Sequence, residues 1–146
     1  MECCDHLSEF SVHSDEIGMS KTFDKVCEPK LKINYTYDFG SSTYLELSVM
    51  NNYALDVPEK ILLLSRNEPL KIMCATCNKK PALNICTVCM YEDYAFYCKT
   101  CSKKHAEECE DFNDYAEIPV VNSPRLGTCG YTGGTIDTER DGYYKR

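Results

Sequence analysis

Between residues 74 and 109 the chain runs Cys74-x2-Cys77-x8-Cys86-x2-Cys89-x8-Cys98-x2-Cys101-x3-His105-x3-Cys109. Thiolate sulfur and neutral imidazole nitrogen are the donors that a borderline-soft dication such as Zn2+ accepts. Two residues between cysteines let both sulfurs of a pair turn toward one ion. His105 and Cys109, four apart, share one face of a helical turn and can converge in the same way. These eight donors fill two tetrahedral sites and leave no position for water. Closed sites are structural, whereas catalytic zinc keeps a water position open. The expected cofactor is therefore zinc, two ions per chain, with Cys74, Cys77, Cys86, Cys89, Cys98, Cys101, His105 and Cys109 as ligands.

The even spacing favours a cross-brace, in which the first and third pairs hold one ion and the second and fourth the other. Three other readings compete. Disulfides need an oxidising compartment, and "MECCDHLSEF" has neither the basic nor the apolar region of a secretory leader. A redox CxxC normally stands alone beside a βαβ unit. An iron–sulfur cluster takes four thiolates at spacings that usually differ from these. Two structural zincs would contribute on the order of 10 kcal/mol each, which a small core needs.

The elements that must carry this block can be read from periodicity. "HLSEFSV" reads as a short strand. "SKTFDKVCE" reads as a short helix with Ser20 at its N-cap and Pro29 ending it. Ile33, Tyr35, Tyr37 and Phe39 alternate with Lys32, Asn34, Thr36 and Asp38. After the turn at "GSS", Thr43, Leu45, Leu47 and Val49 alternate with Tyr44, Glu46, Ser48 and Met50, so residues 31 to 50 predict a hairpin with one buried face. The apolar run in "KILLLSR", residues 60 to 66, predicts a central strand. No apolar run approaches the roughly 18 residues that cross a bilayer. The chain is expected in the reducing cytosol.

Outside the block, Asp38 before Phe39 and Gly40 suits a turn better than catalysis. His6 and His13 could join Cys3 and Cys4 in a further metal site, but adjacent cysteines fit a frayed terminus better. Cys27 reads as a small apolar residue of its helix. Cys129, in "GTCGYTGG", reads as a packed thiol or spare ligand ahead of a nucleophile. Arg125 is expected to hold the segment after the cysteines to the core. Lys79, Lys80, Lys99, Lys103 and Lys104 are offset by Glu92, Asp93, Glu107, Glu108, Glu110 and Asp111. Tyr91, Tyr94, Phe96 and Tyr97 are expected to include exposed contact residues.

The ligand order and short spacers resemble B-box and MYND-type zinc modules. "YTYDFGSSTYLEL", with "HLSEFSV" before it and "IPVVNSPRLGTCGYTG" after the cysteines, resembles the Ri-plasmid ORF-three family, also labelled transposon-passenger TnpR-like, over about His6 to Gly133. Tyr44 stands near the position where that family often has Trp, and Ser41 replaces an acidic residue. The chain also begins at what resembles the middle of the family domain. The resemblance implies an α+β fold with a mostly antiparallel sheet, and a mobile-element context.

Together these readings predict an α+β sheet domain made of residues 1-73 and 110-146, with a two-zinc cross-brace module at 74-109 inserted into it. With closed metal sites and no recognisable catalytic set, the expected function is that of a non-enzymatic interaction or adaptor protein. Its partner is expected to be a protein, by analogy one in a mobile-element or defence (CRISPR-type) setting. A homodimer would cover a truncated sheet. The alternative is a nucleic-acid-binding regulator. The formal charge of −7 opposes it, and loading with two zincs would take that charge to about −10, because seven thiolates outweigh two dications.

Overall fold

A computed structural model describes residues 7–56, 62–92 and 95–134. The chain forms two compact units, Met1–Leu64 and Ser65–Arg146. Both are small antiparallel sheets with short helices, an α+β architecture. No helix among the described residues is long and apolar enough to cross a membrane.

The first unit is a four-stranded sheet in the order β2-β1-β3-β4. It comprises β1 (Ser8–Val12), β2 (Asp15–Ile17), β3 (Lys32–Tyr37) and β4 (Thr43–Ser48). His13 and Ser14 join β1 to β2 with φ of 48° and 74°. Two consecutive left-handed residues make the turn whose twist matches a two-residue hairpin. β2 was invisible in the sequence because Asp15 and Glu16 are polar and exposed.

The hairpin expected at 31 to 50 is present, and its register places Ile33 opposite Leu47, Tyr35 opposite Leu45 and Tyr37 opposite Thr43. Phe10 lies opposite Tyr35 on the other side, with the rings stacked at 4.4 Å. Among the described residues of this unit, Ile33 is the one aliphatic side chain that is fully enclosed, at 1 % exposure. Asp38 takes φ 63°, and its amide donates to the Leu7 carbonyl at 2.8 Å while its carbonyl accepts from Ser41 at 3.1 Å. It is a turn residue.

The first helix is shorter than the sequence predicts. α1 spans only Phe23–Val26, with Thr22 rather than Ser20 at the N-cap, and ends when the Cys27 amide bonds the Phe23 carbonyl. Pro29 disfavours helical backbone at Glu28, so the turn cannot be extended. Phe23 still serves the sheet, meeting Phe10 edge-on at 6.0 Å.

The strand expected at 60 to 66 is absent from its described part, residues 62 to 66, where Leu64 is 86 % exposed. A continuous apolar run carries no alternation, so nothing in it dictates a pairing register. Lys60 and Ile61 lie outside the described residues.

The second unit holds the cysteines. Its sheet has the order β6-β5-β7, with β5 at Asn84–Cys86, β6 at Phe96–Tyr97 and β7 at Glu117–Pro119. A 3-10 turn covers Cys89–Tyr91, the helix α2 covers Lys99–Glu108, and a π-helical turn covers Phe112–Ala116.

This arrangement differs from an inserted module. The described part of the segment after residue 109 joins the cysteine block, not the first sheet, because β7 pairs with β5. Ala116, Ile118 and Val120 alternate inward and are at most 4 % exposed. The Arg66 guanidinium donates to the Asn122 carbonyl, and the Asn122 amide donates to the Asn67 carbonyl at 3.1 Å, fastening the return. Arg125 is buried within it. Gly127, at φ +80°, passes so close to Met90 that a Cβ would sit 2.7 Å from its Cε, and a left-handed backbone already disfavours a side chain there.

Ile33→Ala should destabilise the first unit by about 3 kcal/mol, the usual result of emptying an enclosed aliphatic site. Hydrogen exchange should speed up at Phe10 and Tyr35 amides, while the metal content of the protein stays unchanged.

Candidate metal centre

The first two Cys-x2-Cys pairs are each presented by a tight turn. After Cys74 the chain reverses so that the Asn78 amide donates to the Cys74 carbonyl at 2.8 Å, with Asn78 left-handed at φ 48°. Asn tolerates that conformation, which makes the residue type there informative. At the second pair, the Cys89 amide points at the Cys86 sulfur at 3.5 Å. The remaining donors lie on one helix. Cys98 is the N-cap of α2, Cys101 and His105 lie within it, and Cys109 is its C-cap.

These turns bring the donors together in two groups. Cys74, Cys77, Cys98 and Cys101 form one, and Cys86, Cys89, His105 and Cys109 the other, with the ligand atoms of each group all within 4.8 Å of one another. The Sγ atoms of Cys77 and Cys98 are 3.9 Å apart, as are those of Cys89 and Cys109. A tetrahedron with metal–sulfur bonds of about 2.3 Å has an edge of about 3.8 Å. A disulfide, at about 2.05 Å, is far shorter. The pairing is first with third and second with fourth, the interleaved arrangement. Both groups can hold a metal ion.

The electrostatics of the donors point the same way. Burial raises the Cys74 thiol, yet backbone N–H groups of Cys98, Cys77 and Thr76 outweigh it and bring the group down to about 6. Amides of Lys79 and Lys80 lower Cys77. Burial, followed by the neighbouring sulfurs Cys74 and Cys98, pushes Cys101 up to about 12. Burial and then Cys86 and Cys109 push Cys89 up to about 12. Some sulfurs are thus prepared as thiolates, and others resist ionising beside them. Four thiolates so close together need a cation among them.

His105 supplies a second test of fit. Its Nε2 is buried with no hydrogen-bond partner, although a buried imidazole nitrogen ordinarily has one. A metal in the Cys86–Cys89–Cys109 group would use that lone pair. The ring is held from two sides, stacked on Tyr97 at 4.3 Å and met edge-on by Phe112 at 5.0 Å. Burial, then the sulfurs of Cys89, Cys86 and Cys109, raises the Tyr97 phenol to about 12, so it remains neutral beside the site.

No family model, no curated protein and no solved structure matches the chain. The likeness to B-box, MYND and Ri-plasmid ORF-three proteins rests on the quoted motifs alone.

Of the further candidate ligands among the described residues, Cys27, His13 and Cys129, the structure brings none into the two groups. Cys27 is half-buried at the end of α1, and Cys129 is exposed with φ 49°. His13 is in the β1–β2 turn, while Cys3, Cys4 and His6 lie outside the described residues. Of the four aromatics expected to include exposed residues, two face inward. Tyr97 packs on His105, and Phe96 packs against Ala82 and Val120. Tyr94 lies outside the described residues, and Tyr91 is 86 % exposed. The orienting roles of Tyr97 and Phe112 were not visible in the sequence, although the adjacency of Tyr97 to Cys98 was a usable signal.

Cobalt substitution should give two tetrahedral Co(II) ions per chain by optical absorption. Cys101→Ser and Cys86→Ser should each remove one of the two spectra. Tyr97→Ala should leave all eight ligands in place but lower affinity at the histidine-containing site by about 10- to 100-fold, the usual effect of losing a group that orients a ligand. Competition with a colorimetric chelator measures this.

Proposed function

We propose that the chain is a zinc-stabilised protein-interaction module without catalytic activity. The observation that carries this reading is the completeness of both donor sets. Each has four ligands, all buried or half-buried, so neither leaves a coordination position for a substrate or an activated water. Zinc is the ion that best suits three or four thiolates with at most one imidazole in a tetrahedron. Thiols kept available for metal imply a reducing compartment such as the cytoplasm.

Function then lies at the surface. Val88 and Tyr91 are three apart through the 3-10 turn, so they share a face. The amide of Thr87, next to Val88, donates to the Ala116 carbonyl at 3.0 Å, which brings Tyr115 to the same neighbourhood. Tyr91 and Tyr115 are 86 % and 63 % exposed. Exposed tyrosines on a rigid turn are characteristic contact residues. A second copy is a further candidate partner, for the first sheet, whose Leu45 is 44 % exposed on the same face as Tyr35. The alternative of nucleic-acid binding has the opposing charge balance against it.

Zinc-loaded protein should capture a specific protein from the source cells, and Tyr91→Ser with Tyr115→Ser should abolish that capture at unchanged zinc content. Capture of nucleic acid that weakens steeply with salt would favour the regulator instead. Capture of nothing would remove the interaction reading.

A further inference from the structure

The first sheet has two edges of unequal character. β2 is three residues long with Asp15 and Glu16 exposed, so a strand laid against it would meet carboxylates. β4 runs from Thr43 to Ser48 and carries a single charge, Glu46. That charge is already met by Lys32, whose Nζ lies 2.9 Å from the carboxylate. Edge strands are ordinarily blunted by lysine, proline, a bulge or shortness. β4 has no lysine or proline, pairs with β3 in unbroken register along six residues, and among the described residues has no strand on its outer side.

The side chains that lead to this edge form a continuous row. Ile17 lies opposite Phe10, Phe10 opposite Tyr35, and Tyr35 opposite Leu45. The first three are half-buried, whereas Leu45, at the open end, is 44 % exposed. The backbone is also in phase for another strand. Val49 donates to the Leu31 carbonyl at 2.9 Å and accepts from the Lys30 amide at 2.7 Å. Backbone polar groups alternate in direction along a strand, so those of Leu45 and Leu47 also face β3 and those of Tyr44 and Glu46 face outward.

We propose that β4 pairs antiparallel with β4 of a second copy, about a two-fold axis at Leu45, to join the two four-stranded sheets into one. Directly opposed residues share a face of the sheet, so the axis must pass through a residue rather than between two. An axis at Glu46 would set two carboxylates directly opposite, which is unfavourable. An axis at Tyr44 or Leu47 would leave half of each strand unpaired. At Leu45 the axis sets leucine against leucine, Thr43 against Leu47 and Tyr44 against Glu46. Tyr44 and Glu46 then exchange both backbone bonds across the seam, and the Leu45 side chains meet at the closer, non-hydrogen-bonded position. The apolar row continues from one copy into the other. Two short strands bury less than the roughly 1,200 Å² of a standard interface, so the dimer should be weak and concentration-dependent. This inference rests on the reading of the first sheet as a surface for a second copy, and assigns the edge and register.

The test is sedimentation velocity and amide exchange by NMR on the full zinc-loaded chain across a concentration series. The chain should associate to a dimer. The Tyr44 and Glu46 amides should exchange more slowly as concentration rises. Those of Leu45 and Leu47, bonded within the sheet, should be slow throughout. Leu45→Lys sets two ammonium groups opposite each other at an already exposed position, and should weaken association by about tenfold or more. Unchanged Phe10 and Ile33 shifts would show that the variant's sheet is intact. A chain monomeric throughout, association that leaves the Tyr44 and Glu46 amides unchanged, or indifference to Leu45→Lys would overturn the proposal. A monomeric chain that still captures a protein through Tyr91 and Tyr115 would remove the strand pairing and leave the interaction reading standing.

Discussion

Sulfur atoms held within 4.8 Å of one another cannot all be thiolates unless a cation sits among them, and the second unit depends on that constraint. Among its described residues, four of the twelve buried apolar ones are the donor cysteines Cys74, Cys86, Cys98 and Cys101, and three more are alanines. Phe112 and Ile85 are the only large side chains among them that are fully enclosed. Such an interior buries too little apolar surface to offset the conformational entropy of ordering about seventy residues. Metal held by the two donor groups would contribute on the order of 10 kcal/mol per site, offsetting what the apolar core lacks.

The helix α2 makes the two sites one structure. It gives two ligands to each, Cys98 and Cys101 near its first turn and His105 and Cys109 near its last. Charge follows the helix dipole. With a dication, the all-cysteine site at the N-terminal end carries a formal charge of −2, and the site with neutral His105 at the C-terminal end carries −1. The more anionic site thus lies at the end that favours anions. Exchanging the histidine for a cysteine would place a second −2 site at the end that disfavours it.

Sequence spacing was sufficient to expect the interleaved grouping in which the structure gathers the eight donors, because tetrahedral coordination would convert residue intervals directly into geometry. The β3–β4 hairpin was legible for a similar reason, since strict alternation from Lys32 to Ser48 permits only one register. What escaped was set by partners distant in sequence. Leu62, Leu63 and Leu64 form an apolar run that belongs to no strand, which no local pattern reveals. The return segment belongs with the cysteines because Ala116, Ile118 and Val120 find their places beside β5. That alternation was present in "YAEIPVV", but the Pro and Gly residues around it masked a three-residue strand.

The same economy explains why this unit has surface to spare. In a domain stabilised by apolar burial, most large aromatics are needed inside. Here Tyr97 and Phe112 pack on the His105 ring, and metal held by the two donor groups would carry the rest of the load. Tyr91 and Tyr115 are therefore free to stay in solvent. The turns that carry Tyr91 and Tyr115 are anchored through Cys89 on one side and through Phe112 against His105 on the other. Both anchors lead to the same four-ligand group. If the proposed function holds, loss of a metal from that group would loosen the surface of Tyr91 and Tyr115 through its supports, although neither residue is one of the eight donors.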